Sequence, residues 1–380
     1  MKLKFAPLVF AGVLSLFAID CSDEPGAVGL GVLPTQDTLQ VASHRAFATS
    51  DTTFLSRVVG GASTLLVGKY QMLEAVTLLS FNGLTTIPSD ATIDTATLSL
   101  RVNYRFKDSS GTAGFEVHKF LRSFTNSGFT WDTATAAGAY SDTVSGSLLQ
   151  SITPLDSLLS LRIDTILIRQ WMQTGSGSAI LLPAGNIVVG FSPLITVTVD
   201  YRPLLTIKFH ENSDTEMTLS FRSSSAIFVA DGEVPPHPGA VVAQSGIAYR
   251  GIVRFDSLTV PYGASITQAI LEVPADTTAS LTNTFYDDNI IAYLLRKNVY
   301  PYDSLAFGTK CSPSYDSAQQ KVYRADIKVI VQRWVTREPN YGLLVRASGE
   351  LSTFDRLVMY GASAASRLRP KLTITYTVFP

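Results

Sequence analysis

The stretch LSFNGL at residues 79–84 has a counterpart in VRFDSL at residues 253–258. Each stretch is followed by an aliphatic residue and a proline, and then by short apolar runs of the same pattern, over residues 87–98 in one case and 260–271 in the other. Motifs that recur in the same order predict two copies of one domain. A solenoid is not expected, because its repeats are shorter and it needs at least three of them to bury a core.

The later parts of the two halves correspond as well. Trp171 and Trp334 each end an apolar run, and YRPLLTI at 201–207 matches LRPKLTI at 368–374. Small differences in spacing between these landmarks indicate insertions in surface loops, which chains tolerate at modest entropic cost. The equivalent positions of the two tryptophans predict that both indole rings belong to a core.

A polar run, HENSDTE at residues 210–216, separates the two copies. We predict a first domain over 38–209 and a second over 217–380, each long enough to bury its own hydrophobic core. Strand signals dominate both domains: TLSLRVNY at 97–104 and LTITYTV at 372–378 alternate apolar and polar residues, which places one face of each strand in a core. Many short strands between turn residues predict an all-β fold of two tandem jelly-roll-like β-sandwiches.

Each half also contains one segment with a helical start signal. Asp164 precedes the run at 165–171 and Asp326 precedes the run at 327–334. An aspartate oxygen accepts the free backbone N–H groups of a first helical turn, so we predict at most one short helix in each sandwich. The β-branched residues in both runs favour a strand as the alternative.

The composition limits the classes of partner. The chain has 380 residues, of which 46% are hydrophobic and only 16% are charged, and its formal net charge is −1. Because nucleic-acid binding depends on a basic surface that neutralises phosphates, no nucleic-acid partner is expected.

The first twenty residues form a targeting segment. Two lysines precede an apolar run over residues 5–19 that is too short to span a bilayer, and Cys21 follows. Residues 1–20 resemble a bacterial lipoprotein signal peptide, which implies that Cys21 becomes the acylated first residue of the mature chain. Because Asp20 stands where such signals have a small residue, an ordinary secretory signal cleaved nearby is the alternative.

The segment after this cysteine, residues 21–37, is predicted to be a flexible tether. Its acidic residues resemble the surface-export signals of outer-membrane lipoproteins, so we expect secretion across the inner membrane and lipid anchoring at the outer membrane or cell surface. No later apolar segment approaches membrane-spanning length, so membrane attachment would be through the lipid only. Cys311 then has no disulfide partner within the chain and is expected to be a small buried apolar residue.

The second half resembles a DNRLRE-type domain. The resemblance rests on QRW at 332–334, NYGLLV at 340–345 and RLRPKLTITY at 367–376. It implies a secreted β-sandwich similar to carbohydrate-binding modules, of the kind attached to surface or polysaccharide-associated proteins. The first half resembles a degenerate copy, with GSG at 175–177 in place of NYG, and residues 21–40 resemble the mature start of uncharacterised surface lipoproteins. Neither resemblance identifies a ligand or a catalytic residue.

Sequence motifs for catalysis are missing. The four histidines, His44, His118, His210 and His237, do not form a metal-binding motif, and no Gly-x-Ser-x-Gly sequence is present. We therefore expect a protein that is not an enzyme and needs no cofactor. A hydrolase whose two carboxylates are brought together only by folding is the catalytic alternative.

A structural calcium ion is the one inorganic ligand that the sequence suggests. Asp287, Asp288 and Asn289 place oxygen donors side by side, and Ca²⁺ is bound by such hard ligands. The alternative is an acidic turn that faces solvent.

Four aromatic residues in loop-like segments are candidates for ligand binding, namely Trp131, Tyr286, Tyr300 and Tyr302. The apolar face of a sugar ring packs on an aromatic side chain, so exposed rings would form a platform for a glycan. Packing of the same rings against the edge of a sandwich is the alternative.

Arginines recur at two further positions of the copies, as Arg122 and Arg296 and as Arg202 and Arg369. We expect them to satisfy strand-end carbonyls or to pair with carboxylates. An acidic polysaccharide would recruit such arginines as well.

Taken as a whole, the sequence predicts a non-catalytic, secreted, lipid-anchored surface protein whose tandem β-sandwiches bind a polysaccharide or a cell-envelope protein. Two weak sites on one chain gain avidity when both reach the same polymer. The alternative is a purely structural envelope component whose sandwich faces pack on other proteins.

Overall fold

A computed structural model of the chain describes residues 40–56, 63–106, 112–125, 129–151, 157–195, 199–211, 215–232, 238–283 and 288–378. The predicted signal peptide, Cys21 and the predicted tether lie outside these residues. The helices are α1 (Trp131–Ala134), α2 (Thr165–Thr174) and α3 (Lys328–Thr336), and Leu84–Thr86 forms a 3₁₀ turn. The strands are β1 (Gln40–Phe47), β2 (Ser50–Leu55), β3 (Leu65–Tyr70), β4 (Leu73–Asn82), β5 (Thr92–Arg105), β6 (Thr112–Phe120), β7 (Tyr140–Ser151), β8 (Leu158–Ile163), β9 (Ser176–Pro183), β10 (Val188–Phe191), β11 (Leu204–His210), β12 (Met217–Arg222), β13 (Ser225–Gly232), β14 (Ala240–Gln244), β15 (Tyr249–Arg254), β16 (Ser265–Pro274), β17 (Ile290–Leu295), β18 (Ser304–Tyr315), β19 (Lys321–Asp326), β20 (Leu343–Ala347), β21 (Arg356–Tyr360) and β22 (Lys371–Val378).

The strands form two curled antiparallel sheets, and each sheet folds over on itself as a β-sandwich. In the first jelly roll, the layer β12-β11-β5-β8 packs on the layer β4-β9-β6-β7. In the second jelly roll, the layer β1-β22-β16-β19 packs on the layer β15-β20-β17-β18. This strand order is that of a jelly roll. The predicted all-β fold with two jelly-roll-like sandwiches is confirmed.

The cores follow from the alternation of side chains along the strands. In β5, every second residue from Ala96 to Tyr104 is buried and those between are not. The inward side chains Leu98 and Leu100 pack in one core with Phe81 of the opposite layer. Full burial of each such side chain stabilises the fold by about 1.5–3 kcal/mol.

The two jelly rolls exchange their leading two-strand segments, β1–β2 and β12–β13, which we call the exchanged segments. In each of them the two strands lie in opposite layers and pair with other strands. The segment β1–β2 comes from the first sequence copy, but β1 pairs with β22 and β2 pairs with β15, so it completes the second jelly roll. The segment β12–β13 begins the second copy, but it pairs with β11 and β4 of the first jelly roll. The strand pairing therefore differs from the predicted boundaries 38–209 and 217–380 at both segments. The polar run 210–216 joins two paired strands instead of linking two sandwiches, because β11 and β12 turn back on each other across it.

The exchanged segments dock in equivalent positions. The backbone N–H of Ala48, between β1 and β2, donates to the carbonyl of Pro370 at 2.8 Å. The backbone N–H of Ser223, between β12 and β13, donates to the carbonyl of Pro203 at 2.9 Å. Both acceptors belong to the Arg-Pro pairs that the sequence identifies as repeated landmarks, so the duplication extends to the way each sandwich is closed.

Helices α2 and α3 are the short helices that the sequence predicts, and their apolar faces pack on the two cores. The Asp164 carboxylate accepts from the backbone N–H of Ile166 at 2.9 Å, and Asp326 accepts from that of Lys328 at 2.9 Å. The first jelly roll also contains the single-turn helix α1, which Thr130 caps, so it has two helices where at most one was predicted.

The two repeated tryptophans both contact a core. Trp171 of α2 is buried and stacks on Phe81, with ring centroids 6.1 Å apart. Trp334 of α3 is only partly buried and packs against the second core from its edge. The prediction of a core position therefore holds in full for Trp171 and in part for Trp334.

The jelly rolls pack directly on each other through an apolar cluster. Tyr104 and Phe106 of the first are fully buried against Phe354 and Ile247 of the second. The Phe106 and Phe354 rings meet edge to face at 5.9 Å, and the Tyr104 hydroxyl accepts from the backbone N–H of Phe354 at 2.9 Å. Such a buried hydrogen bond fixes the relative position of the two sandwiches.

Candidate functional site

Two of the predicted aromatic candidates lie together on the second jelly roll. Tyr300 and Tyr302, between β17 and β18, meet Phe54 of β2. The centroid of Phe54 is 4.7 Å from that of Tyr302 and 6.3 Å from that of Tyr300, and the two tyrosine rings are 5.9 Å apart. We call these three rings the aromatic platform.

The platform rests on the outer face of the sheet. Alternate side chains of β15, β17 and β20 point away from the core and form a small apolar cluster that includes Ile252, Leu295 and Leu344. Phe54 and Tyr302 pack against this cluster and are half-buried, whereas Tyr300 is 64% exposed. The predicted alternative, packing against the sandwich, therefore describes Tyr302, and Tyr300 is the ring that faces solvent.

An ionic cluster lies on the same sheet face. The Arg250 guanidinium donates two hydrogen bonds, of 2.7 and 2.8 Å, to the carboxylate of Glu350, which is 3% exposed. Arg346 donates to the same carboxylate at 3.2 Å and stacks over the Tyr293 ring at 4.8 Å. Because both guanidiniums bind the same buried carboxylate, this cluster holds β15 and β20 together, with one positive charge in excess.

Trp131 does not join the platform. It begins α1 in the first jelly roll, is half-buried, and packs with Phe120 and Phe129 on the outer face of that sandwich. Tyr286, the remaining aromatic candidate, lies outside the described residues. Its role in ligand binding stays a prediction.

The predicted calcium site is described only in part. Asp288 forms an ion pair with Lys321, and the Asn289 side chain is almost fully buried, whereas Asp287 lies outside the described residues. Across the described residues, no group of three His, Cys, Asp or Glu side chains is placed to hold a metal ion. The Asp288 carboxylate, which would be a calcium ligand, is paired with the Lys321 ammonium group. Calcium binding stays a prediction.

Two buried groups have perturbed acidities. Burial raises the pKa of the Cys311 thiol to about 12, and this cysteine is fully buried, as expected from the sequence. Burial also raises the pKa of Asp355 to about 6, although the backbone N–H of Asn283 donates to its carboxylate at 2.8 Å. Asp355 holds a turn beside the interface between the jelly rolls, so we assign it a structural role.

Three of the four repeated arginines behave as expected. Arg122 donates to the carbonyl of Ala137 at 3.2 Å, Arg202 pairs with a carboxylate, and Arg369 donates to a backbone carbonyl.

The sequence did not indicate that Phe54 is part of a site. It lies in the exchanged segment β1–β2, far along the chain from Tyr300, so sequence spacing does not indicate that the two residues meet.

Comparisons with known proteins identify no family for this chain. No protein-family model matches the chain, and no curated protein matches it. The C-terminal domain of the antigen I/II polypeptide BspA of Streptococcus agalactiae is 8% identical, with a TM-score of 0.18 over 87% of this chain and 91% of that chain. The C-terminal domain of the antigen I/II-family protein AspA of Streptococcus pyogenes is 11% identical, with a TM-score of 0.17 over 87% of this chain and 99% of that chain. TM-scores this low carry no argument, so the fold assignment rests on strand order.

The helices of the described chain are short. None of them is long and apolar enough to cross a bilayer.

Proposed function

We propose that this protein is a non-catalytic binding protein of the cell surface. In this proposal it is secreted across the inner membrane, is anchored by a lipid on Cys21, and binds a polysaccharide or another surface partner through the second jelly roll. The observation that supports binding is the exposed ring of Tyr300 on a base of packed aromatic rings. The lipoprotein-like start of the sequence supports the location.

The geometry suits a ligand with a flat apolar face. Because Phe54 and Tyr302 are packed on the sheet, Tyr300 is supported from below and loses little side-chain freedom when a ligand covers it. A pyranose ring has one such face, and stacking on an aromatic ring leaves its hydroxyl groups in water.

A glycan array probed with the folded mature chain tests the proposal. We expect binding to at least one polysaccharide, weakened about tenfold or more by Tyr300→Ala, since such a ring contributes on the order of 1–2 kcal/mol. Tyr262→Ala is the matched control, because Tyr262 is also an exposed tyrosine of the second jelly roll but is not part of the platform. If no polysaccharide is bound, or if both variants lose binding equally, the platform is not a glycan site.

A structural role in the envelope is the second candidate. Phe307 on β18 is 87% exposed, and an exposed apolar side chain on a strand is suited to packing on another protein. A stoichiometric complex with an envelope protein that survives Tyr300→Ala but is lost in Phe307→Ser would favour this candidate over glycan binding.

A further inference from the structure

The strand-end arginines differ between the two jelly rolls. In the first, Arg202 forms a bidentate pair with Asp200, with Nε–Oδ1 and Nη2–Oδ2 distances of 3.0 and 2.7 Å. Arg222 of β12 lies 3.8 Å from the same carboxylate. The hydrogen bond from Arg202 lowers the pKa of Asp200, so the carboxylate is firmly ionised between two guanidiniums.

The second jelly roll lacks this carboxylate. Arg369 precedes Pro370 as Arg202 precedes Pro203, but two residues earlier the chain has Arg367 where the first copy has Asp200. Strand β1, which takes the place of β12, carries Phe47 at the register position of Arg222, and Arg45 lies two residues before it. The acidic residue of the first copy is thus replaced by a third arginine.

These three arginines have no acidic partner among the described residues. Arg369 donates only to the carbonyl of Ala364, at 3.3 and 3.4 Å, and Arg45 and Arg367 are exposed. Two aspartates nearby are engaged by other groups. Asp51 accepts from the backbone N–H of Ala362 and Asp256 accepts from the Thr49 hydroxyl, both at 2.6 Å.

A cleft of about 470 Å³ opens between β1 and the loop that carries Arg369. Its lining includes Arg45, Arg369, the hydroxyl-bearing Thr49 and Ser257, and the ring of Phe47, which is 36% exposed. The cleft therefore combines guanidinium groups, hydroxyl groups and one aromatic surface. Small-ligand sites have this mixture of apolar lining and few placed polar groups.

We infer that this cleft binds the carboxylate of an acidic sugar in a polysaccharide. The ligand carboxylate takes the place that Asp200 fills in the first jelly roll, and guanidinium groups bind carboxylates by two parallel hydrogen bonds. An acidic sugar fits better than an acidic peptide because Phe47 offers a surface for a pyranose face beside the arginines. The inference rests on the proposed glycan-binding function and specifies its ligand class.

The test uses oligogalacturonate, its methyl-esterified form and poly-glutamate as probes, with the full mature chain, in titration calorimetry at low and high salt. Arg367→Asp restores the internal carboxylate of the first copy and is expected to abolish oligogalacturonate binding while the protein stays folded. Arg45→Ala is expected to weaken binding about tenfold, the effect of losing one charge-assisted contact. Arg162→Asp is the control, because it makes the same charge change at an exposed arginine of the first jelly roll.

Several results would overturn the inference. Unchanged binding in Arg367→Asp, equal binding of the methyl ester, or equally tight binding of poly-glutamate would each contradict an acidic-sugar site. Tyr300→Ala separates the two proposals. If Tyr300-dependent binding to a neutral glycan persists while oligogalacturonate does not bind, only the cleft assignment fails. If neither probe binds, both proposals fail.

Discussion

The backbone N–H of Ala48 donates a hydrogen bond of 2.8 Å to the carbonyl of Pro370, and this bond joins the exchanged segment β1–β2 to the residue that precedes β22. Ser223 and Pro203 make the same bond in the other jelly roll. In both cases the donor belongs to one sequence copy and the acceptor to the other. The duplicated modules therefore complete each other, and the second jelly roll cannot close until the start and the end of the chain have met.

A buried charge in β1 should destabilise the second jelly roll. Ala46 is almost fully buried in its core, so Ala46→Asp is expected to cost roughly 3 kcal/mol of unfolding free energy. Hydrogen exchange followed by mass spectrometry should show faster exchange in β15, β16 and β22 and little change in β5 and β6. Ser43→Asp, at an exposed position of the same strand, is the control. Faster exchange confined to the first jelly roll would contradict the pairing of β1.

The interface between the jelly rolls should depend on one hydroxyl group. Tyr104→Phe leaves the buried N–H of Phe354 without this acceptor and is expected to cost about 1–3 kcal/mol. Urea unfolding monitored by circular dichroism measures the loss. Tyr262→Phe removes an exposed hydroxyl and should cost much less. Equal stability of the wild type and Tyr104→Phe would mean that this bond does not hold the sandwiches together.

Stability should depend on pH through Asp355. Its pKa, raised to about 6 by burial, lies above the value of about 3.9 in an unfolded chain. Protonation therefore favours the folded state, and this contribution is fully present below about pH 4 and lost as the pH rises through about 6.

The measurement compares Asp355→Asn with the wild type. The amide keeps an oxygen acceptor but does not ionise, so the variant should gain about 3 kcal/mol relative to the wild type between pH 4 and pH 7.5. Asp90→Asn, at an exposed carboxylate, should show no comparable gain. A difference between Asp355→Asn and the wild type that is independent of pH would refute this assignment.

A methyl group at Gly177 should disturb the first core. A Cβ there would lie 1.9 Å from the Trp171 ring, so Gly177→Ala forces the indole to move. We expect a loss of roughly 2 kcal/mol and a change in near-ultraviolet circular dichroism. Ser178→Ala, the next residue of β9, serves as the control. An unchanged spectrum and stability would place Trp171 elsewhere.

Much of the fold could be predicted from sequence because it depends on local patterns. Alternation marks the strands, as in β5, and the aspartates before α2 and α3 mark the helix starts. The exchange of segments could not be predicted, since β1–β2 and β12–β13 dock in equivalent registers. The residues of neither segment indicate which copy it will join. The connection between β11 and β12 is short and brings β12 back beside β11, so the segment β12–β13 joins the first jelly roll.

The candidate sites were predictable to a smaller extent. Tyr300 and Tyr302 stand out as neighbouring aromatics, but Phe54 reaches them only through the exchanged segment β1–β2. The cleft between β1 and the loop that carries Arg369 is indicated in the sequence by one feature only, the change from Asp200 to Arg367 between the two copies. That change has a meaning only once Arg45 is placed beside the closing strand of the other copy.

The most direct test of the exchange is a disulfide across β1. Ser43 lies opposite Thr375, and opposed residues of antiparallel strands are about 4.5–5.5 Å apart at Cα, within the range that a disulfide spans. If β1 instead paired with the closing strand of its own copy, the same register would place Ser43 opposite Lys208. Burial and a pKa of about 12 keep Cys311 out of the reaction.

Oxidation of the Ser43→Cys/Thr375→Cys and Ser43→Cys/Lys208→Cys variants, in a chain without Cys21, followed by peptide mass mapping, decides between the two arrangements. The exchange predicts a disulfide between positions 43 and 375 and none between positions 43 and 208. A disulfide between 43 and 208, with none between 43 and 375, would contradict it.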